Sequence, residues 1–126
     1  MPTITASGSA NLSFTSGIDS TYDKYVFKFY NIHPATDGVT FEFQGSTNGG
    51  STYGVTITSS VFQAYHQEND AGAGIQYATN NDLAQSTSFQ KITGDLGNLD
   101  DVCGSGILPI YNPSNTTFVK HFISTE

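Results

Sequence analysis

The chain contains no Trp and no Arg, a single cysteine, and unusually few charges of either sign. Charged residues make up 12% of its 126 positions, about half the usual ~25%. Each scarcity excludes something. With four Lys, no Arg and a formal charge of −7, the chain lacks the cations that replace phosphate counterions and read bases, so no nucleic acid is expected as partner. The same acidity repels anionic lipid, and no apolar run reaches the ~18–20 residues of a membrane span, so no membrane insertion is expected. Met1 to Ala10 has neither a basic start nor an apolar stretch, and does not read as a signal peptide. Cys103, having no second cysteine to pair with, points to assembly in a reducing cytoplasm and is read as a buried, inert thiol.

What is abundant is polar and small, together with nine Phe and seven Tyr. Aromatic and β-branched residues suit a pleated surface, while strong helix formers are scarce, so the chain is expected to be all-β. Its length allows one domain and one core. Alternation predicts strands near residues 10–16, 24–32, 39–46, 53–62, 86–92, 105–111 and 116–124. Residues 25–32 are apolar or aromatic on both faces, as in a central strand covered on both sides. Asn48-Gly49 supplies the positive φ of a tight hairpin joining residues 39–46 to 53–57. Residues 63–68 read as one helical turn, and Pro109 places the strand at 105–111 on an edge or at a bulge. Many strands joined by Gly, Asn and Pro turns imply an antiparallel β-sandwich, jelly-roll-like, with long polar loops and little or no helix. Residues 1–9 form an extended N-terminal arm or edge strand, and residues 10–126 a single sandwich domain.

No constellation for catalysis emerges. The acids, except Glu42 and Glu126, lie in loops and turns where carboxylates stay solvated, unlike the paired, partly buried acids of a glycosidase. There is no Gly-x-Ser-x-Gly and no phosphate loop, so the chain is expected not to be an enzyme. His66, Glu68 and Asp70 are near one another, but only the remote Cys103, His33 and His121 are left to complete a metal site; solvated roles are expected. His33 and His121 read as packing or hydrogen-bonding residues. Asp95, Asn98, Asp100 and Asp101 resemble an oxygen-rich calcium loop without EF-hand spacing, so a plain turn is favoured over a surface Ca²⁺ site and no cofactor is expected. The tyrosines serve either core and interface packing, which is favoured, or a stacking platform for sugar rings. In the second case the binding residues would be Tyr53, Tyr65 and Tyr77 with Asp100 and Asp101.

Three stretches carry a resemblance: Phe14-Thr15-Ser16-Gly17-Ile18-Asp19-Ser20-Thr21-Tyr22 leading into Tyr25-Val26-Phe27-Lys28-Phe29, then Asn31-Ile32-His33-Pro34-Ala35-Thr36-Asp37, and finally Asn112-Pro113-Ser114 with Thr116-Thr117-Phe118-Val119-Lys120-His121-Phe122. Together they resemble a group of marine bacteriophage proteins, cyanophage and pelagiphage types among them. The resemblance implies a virion structural protein assembled in the host cytoplasm, with copies of itself and other virion proteins as partners. Members of that group continue past the last strand into further strands. Either this chain is a shortened relative or its sandwich lacks C-terminal strands, and an unpaired edge covered by a neighbouring subunit or by the missing segment is then expected. The resemblance implies nothing finer; within it, two roles are expected to compete, capsid decoration and a tail-fibre or appendage protein meeting host surface glycan. The alternative is a secreted carbohydrate-binding sandwich.

Overall fold

A computed structural model describes residues 2–126. Met1, the first residue of the expected arm, lies outside them. The described chain is all-β, without helix, and its strands are β1 (Lys24–Ile32), β2 (Glu42–Phe43), β3 (Phe62–His66), β4 (Ala73–Tyr77), β5 (Gln90–Lys91), β6 (Gly104–Tyr111) and β7 (His121–Phe122). They form a three-stranded antiparallel sheet in the order β1-β6-β7 and two two-stranded sheets, β2-β5 and β3-β4.

The best-patterned segment of the sequence is β1, but it is an edge strand. Phe29 on one face is buried, whereas Lys28 is exposed and Tyr30 is 67% exposed on the other. The expectation of a central strand covered on both sides therefore fails. A bulge between Phe29 and Ile32 puts Asn31 at φ 51°, a conformation its short amide tolerates, and its N–H donates to Ser105 Oγ at 3.0 Å.

The central strand is β6, despite Pro109, which had argued for an edge or a bulge. Along β6, alternate residues bond to opposite neighbours: Ile107 exchanges bonds with Thr125, and Pro109 O accepts from Ile123 N–H at 3.2 Å. The missing N–H of Pro109 thus points at the β7 side, where it interrupts the ladder. It separates β7 from the Ile107–Thr125 bridge, so that the expected strand over 116–124 is reduced to residues 121–122, with one isolated bridge beyond them. Gly106 is also required here. A Cβ on it would collide with the backbone oxygen of Thr125 and lie 2.6 Å from Phe29 Cζ and 3.1 Å from Glu126 Cα.

The hairpin expected around Asn48-Gly49 does not form as a ladder. Residues 41–44 are committed elsewhere: Ile92 N–H donates to Phe41 O, Phe41 N–H to Thr93 Oγ1, and the Gln44 amide to Thr87 O and Ser88 O, all at 2.8–2.9 Å. Glu42 faces Lys91 across the β2–β5 pair, an opposite-charge match. A turn is present, but its positive φ falls on Gly49 and Gly50, at 69° and 85°, one residue later than expected, while Asn48 Oδ1 accepts from Thr52 N–H. Only Ile57 of residues 53–61 makes a bridge, to Ser86. Residues 10–16 form no strand; residues 2–23 are exposed throughout and touch β1 through an edge-on Phe14–Phe27 pair at 5.3 Å.

The buried hydrophobic core is small: Phe29, Ile57, Leu96 and Leu108, closed by the polar Gln90 and Thr93. Cys103 is exposed, with its thiol 3.9 Å from Asn31 Oδ1, which corrects the expectation of a buried thiol. Total accessible surface is 9189 Å². A compact monomer of 13.5 kDa exposes about 6,500 Å², so the chain carries about 2,700 Å² of surface that it does not cover itself.

Candidate functional site

The most distinctive surface is the β3–β4 hairpin, in a region expected to hold a helical turn. Gln63, Ala64 and Tyr65 lack the apolar spacing of a helix face, and the pairing that forms instead runs from Phe62↔Tyr77 through Ala64↔Ile75 to His66↔Ala73. Its six-residue turn is held by Gln67 N–H to Gly72 O, Asp70 N–H to Gln67 O, and Ala71 N–H to Asn69 Oδ1 at 2.8–3.0 Å. Asp70 takes a φ of 58° and its carboxylate lies 3.0 Å from His66 Nε2.

Residues paired across an antiparallel ladder share a face. One face therefore carries Phe62, Ala64, Ala73, Ile75 and Tyr77, with His66 opposite Ala73 at its turn end, and the other Gln63, Gln76, Tyr65 and Gly74. On the first, Phe62 and Tyr77 stack edge-on at 5.3 Å, yet Phe62 is 72% and Ile75 83% exposed. Among the strands, β3 and β4 meet only each other. This is an apolar sheet face with nothing of its own chain upon it.

The base of the hairpin is fixed to the body by a buried amide. Gln90, 2% exposed, accepts from Ser59 Oγ at 2.5 Å and donates from Nε2 to Asn81 O at 2.9 Å and Lys91 O at 2.8 Å. Ser59 Oγ accepts in turn from Leu83 N–H, and Ser59 N–H donates to Leu83 O, both at 2.9 Å. The two chains leaving the hairpin, near residues 59 and 81–83, are thus tied to β5 by one side chain. No composition or motif signal marked Gln90; the only hint was its parity in the alternation of residues 86–92.

A second exposed apolar surface lies at the end of β6. There Tyr111, Thr117, Phe118, Val119 and His121 line an open cleft of about 540 Å³. Phe118 is 70% and Val119 78% exposed. Asn115 shapes its wall by accepting from the N–H groups of Thr117 and Phe118 at 2.7 and 2.8 Å. Lys120 Nζ donates to Phe118 O at 2.6 Å.

The tyrosines singled out for sugar stacking have separate local partners. Tyr65 covers Gly74 on one hairpin face, and Tyr77 lies on the opposite face, its hydroxyl donating to Asp82. That hydrogen bond to a carboxylate holds the Tyr77 phenol above its ordinary pKa. Tyr53 belongs to a different turn, its hydroxyl beside Gly50. Asp100 and Asp101 occupy a turn closed by Val102 N–H to Leu99 O, and His33 Nε2 lies 3.0 Å from Leu99 O. Among the described residues no group of three or more His, Cys, Asp or Glu is placed to share a metal ion, and no helix is long and apolar enough to cross a membrane. Comparison with protein-family models, curated proteins and solved structures finds no match to this chain.

Proposed function

We propose that this chain is a non-enzymatic structural component of a bacteriophage virion, a repeated surface building block serving as capsid decoration or as part of a tail fibre or appendage. The observation that carries this reading is the surface excess of about 2,700 Å² over a compact monomer. Obligate assemblies bury 2,000–5,000 Å² or more in total, so the excess is on the scale that subunit contacts consume. A core of four buried hydrophobic residues is small for a domain that must stand alone, and association with neighbours supplies the missing burial. We further propose that the sheets pack as a jelly-roll-like sandwich. The β1-β6-β7 layer then faces the β2-β5 layer through Phe29–Phe41 at 5.2 Å and Phe43–Phe122 at 5.0 Å. The exposed edge of β1 agrees with an edge left for a neighbour.

The test is mass spectrometry and immunogold labelling of purified phage particles carrying the gene. Regular, stoichiometric copies on head or tail are expected. Particles that lack the chain while the infected cell contains it would refute the proposal.

A further inference from the structure

We infer that the apolar face of the β3–β4 hairpin of one copy docks in the β6-end cleft of a second copy, so that the chain associates with itself head to tail. This deepens the building-block reading and rests on it. The two surfaces match in three respects. In shape, the hairpin offers an open sheet face whose strands contact no other strand, while the surface lined by Tyr111, Phe118, Val119 and His121 is a cleft. In polarity, the hairpin presents Phe62, Ile75 and Tyr77, and the cleft Phe118 and Val119 at 70% and 78% exposure. In charge, the hairpin turn carries Glu68 and, beside His66, Asp70, while Lys120, one of only four cations in the chain, is next in sequence to Val119 and His121 of the cleft.

The areas agree. Taking an exposed aromatic or large aliphatic side chain at ~200 Å², Phe62, Ile75 and Tyr77 leave about 400 Å² open. This is about half of the ~800 Å² per partner of a stable interface, the other half falling to flanking backbone and polar groups. Each copy gives its hairpin to one neighbour and its cleft to another. Two such contacts account for roughly 1,600 Å² of the excess. Hairpin stacked on hairpin would instead leave Phe118 and Val119 in water and the cleft empty. A contact between unlike surfaces closes into a ring or continues as a filament.

Sedimentation velocity on the purified full chain over roughly 1–100 µM reads the outcome. The unmodified chain is expected to exceed the 13.5 kDa of a single copy. Ile75→Glu on the hairpin and Val119→Asp in the cleft should each reduce it to one copy with unchanged far-ultraviolet circular dichroism. An equimolar mixture of the two variants should form a species of twice that mass, because one intact hairpin and one intact cleft remain. Phe62→Thr repeats the hairpin arm of the test if Ile75→Glu disturbs the fold. A monomeric unmodified chain at the top concentration, single variants that still assemble, or a mixture that stays monomeric would each overturn the inference. Presence in particles is read separately. A monomeric chain found in virions refutes the docking alone, and an oligomer absent from them refutes the virion role alone.

Discussion

Replacing Gln90 by Leu keeps the side-chain volume roughly constant while removing every hydrogen bond the amide makes. Two acceptors, Asn81 O and Lys91 O, lose their donor, and Ser59 Oγ loses its acceptor at 2.5 Å. The amide orientation is fixed by chemistry, since both groups facing Nε2 are carbonyls that can only accept. At about 1 kcal/mol net per bond the loss is about 3 kcal/mol, and the stranded buried acceptors push it higher. Against a total stability of about 5–15 kcal/mol this is a large fraction. For a chain of this length it lowers Tm by roughly 10 °C. Urea denaturation followed by circular dichroism, with Tm by calorimetry, measures both. Gln90→Glu provides the control. Its carboxylate would face two carbonyl oxygens in a buried site, so its folded pKa would lie above the unfolded value of ~4.3. Its destabilisation should therefore be smallest below that pH and grow as the pH rises through the folded pKa. A loss of less than about 1 kcal/mol in Gln90→Leu, or a flat pH profile in Gln90→Glu, would show that this network does not anchor the hairpin.

Gly106→Ala forces a methyl against the backbone oxygen of Thr125, Phe29 Cζ and the backbone at Glu126, and should cost about 1–3 kcal/mol in urea unfolding. Asp19 is held below the ordinary carboxylate pKa by hydrogen bonds from the Thr21 side chain and N–H and from the Tyr25 hydroxyl. Its contribution is present above the unfolded value of ~3.9 and lost as the pH falls through the lower folded pKa. Asp19→Asn should flatten that acid limb, and a carboxyl NMR titration of the unmodified chain should place Asp19 below its usual range. Cys103, being exposed, should react with a thiol reagent in the native, unassembled chain without denaturant. A thiol that reacts only after unfolding would contradict its position.

Composition and alternation alone determined that the chain is all-β and that residues 24–32 and 105–111 are strands, because period-two patterning and aromatic content act locally. They also marked the turn at Asn48, whose side-chain bonds to Ser46 and Thr52 are made within four residues. Pairing was beyond their reach. A strand's partners are chosen by which distant groups satisfy its backbone, and residues 41–44 found theirs at residues 87–93, with Lys91 opposite Glu42, not across the nearby turn. Facing was equally hidden. Residues 86–92 offer two parities, and the apolar Phe89 invites the wrong one. In the fold Phe89 is 51% exposed and Gln90 is buried, because only Gln90 reaches the carbonyls and hydroxyl that converge there. The β3–β4 hairpin was missed because its apolar face covers nothing within its own chain, so no core pattern was written for it. Local chemistry thus chose the kind of element; long-range hydrogen bonding and burial chose the partners, the inward face and the surface left open.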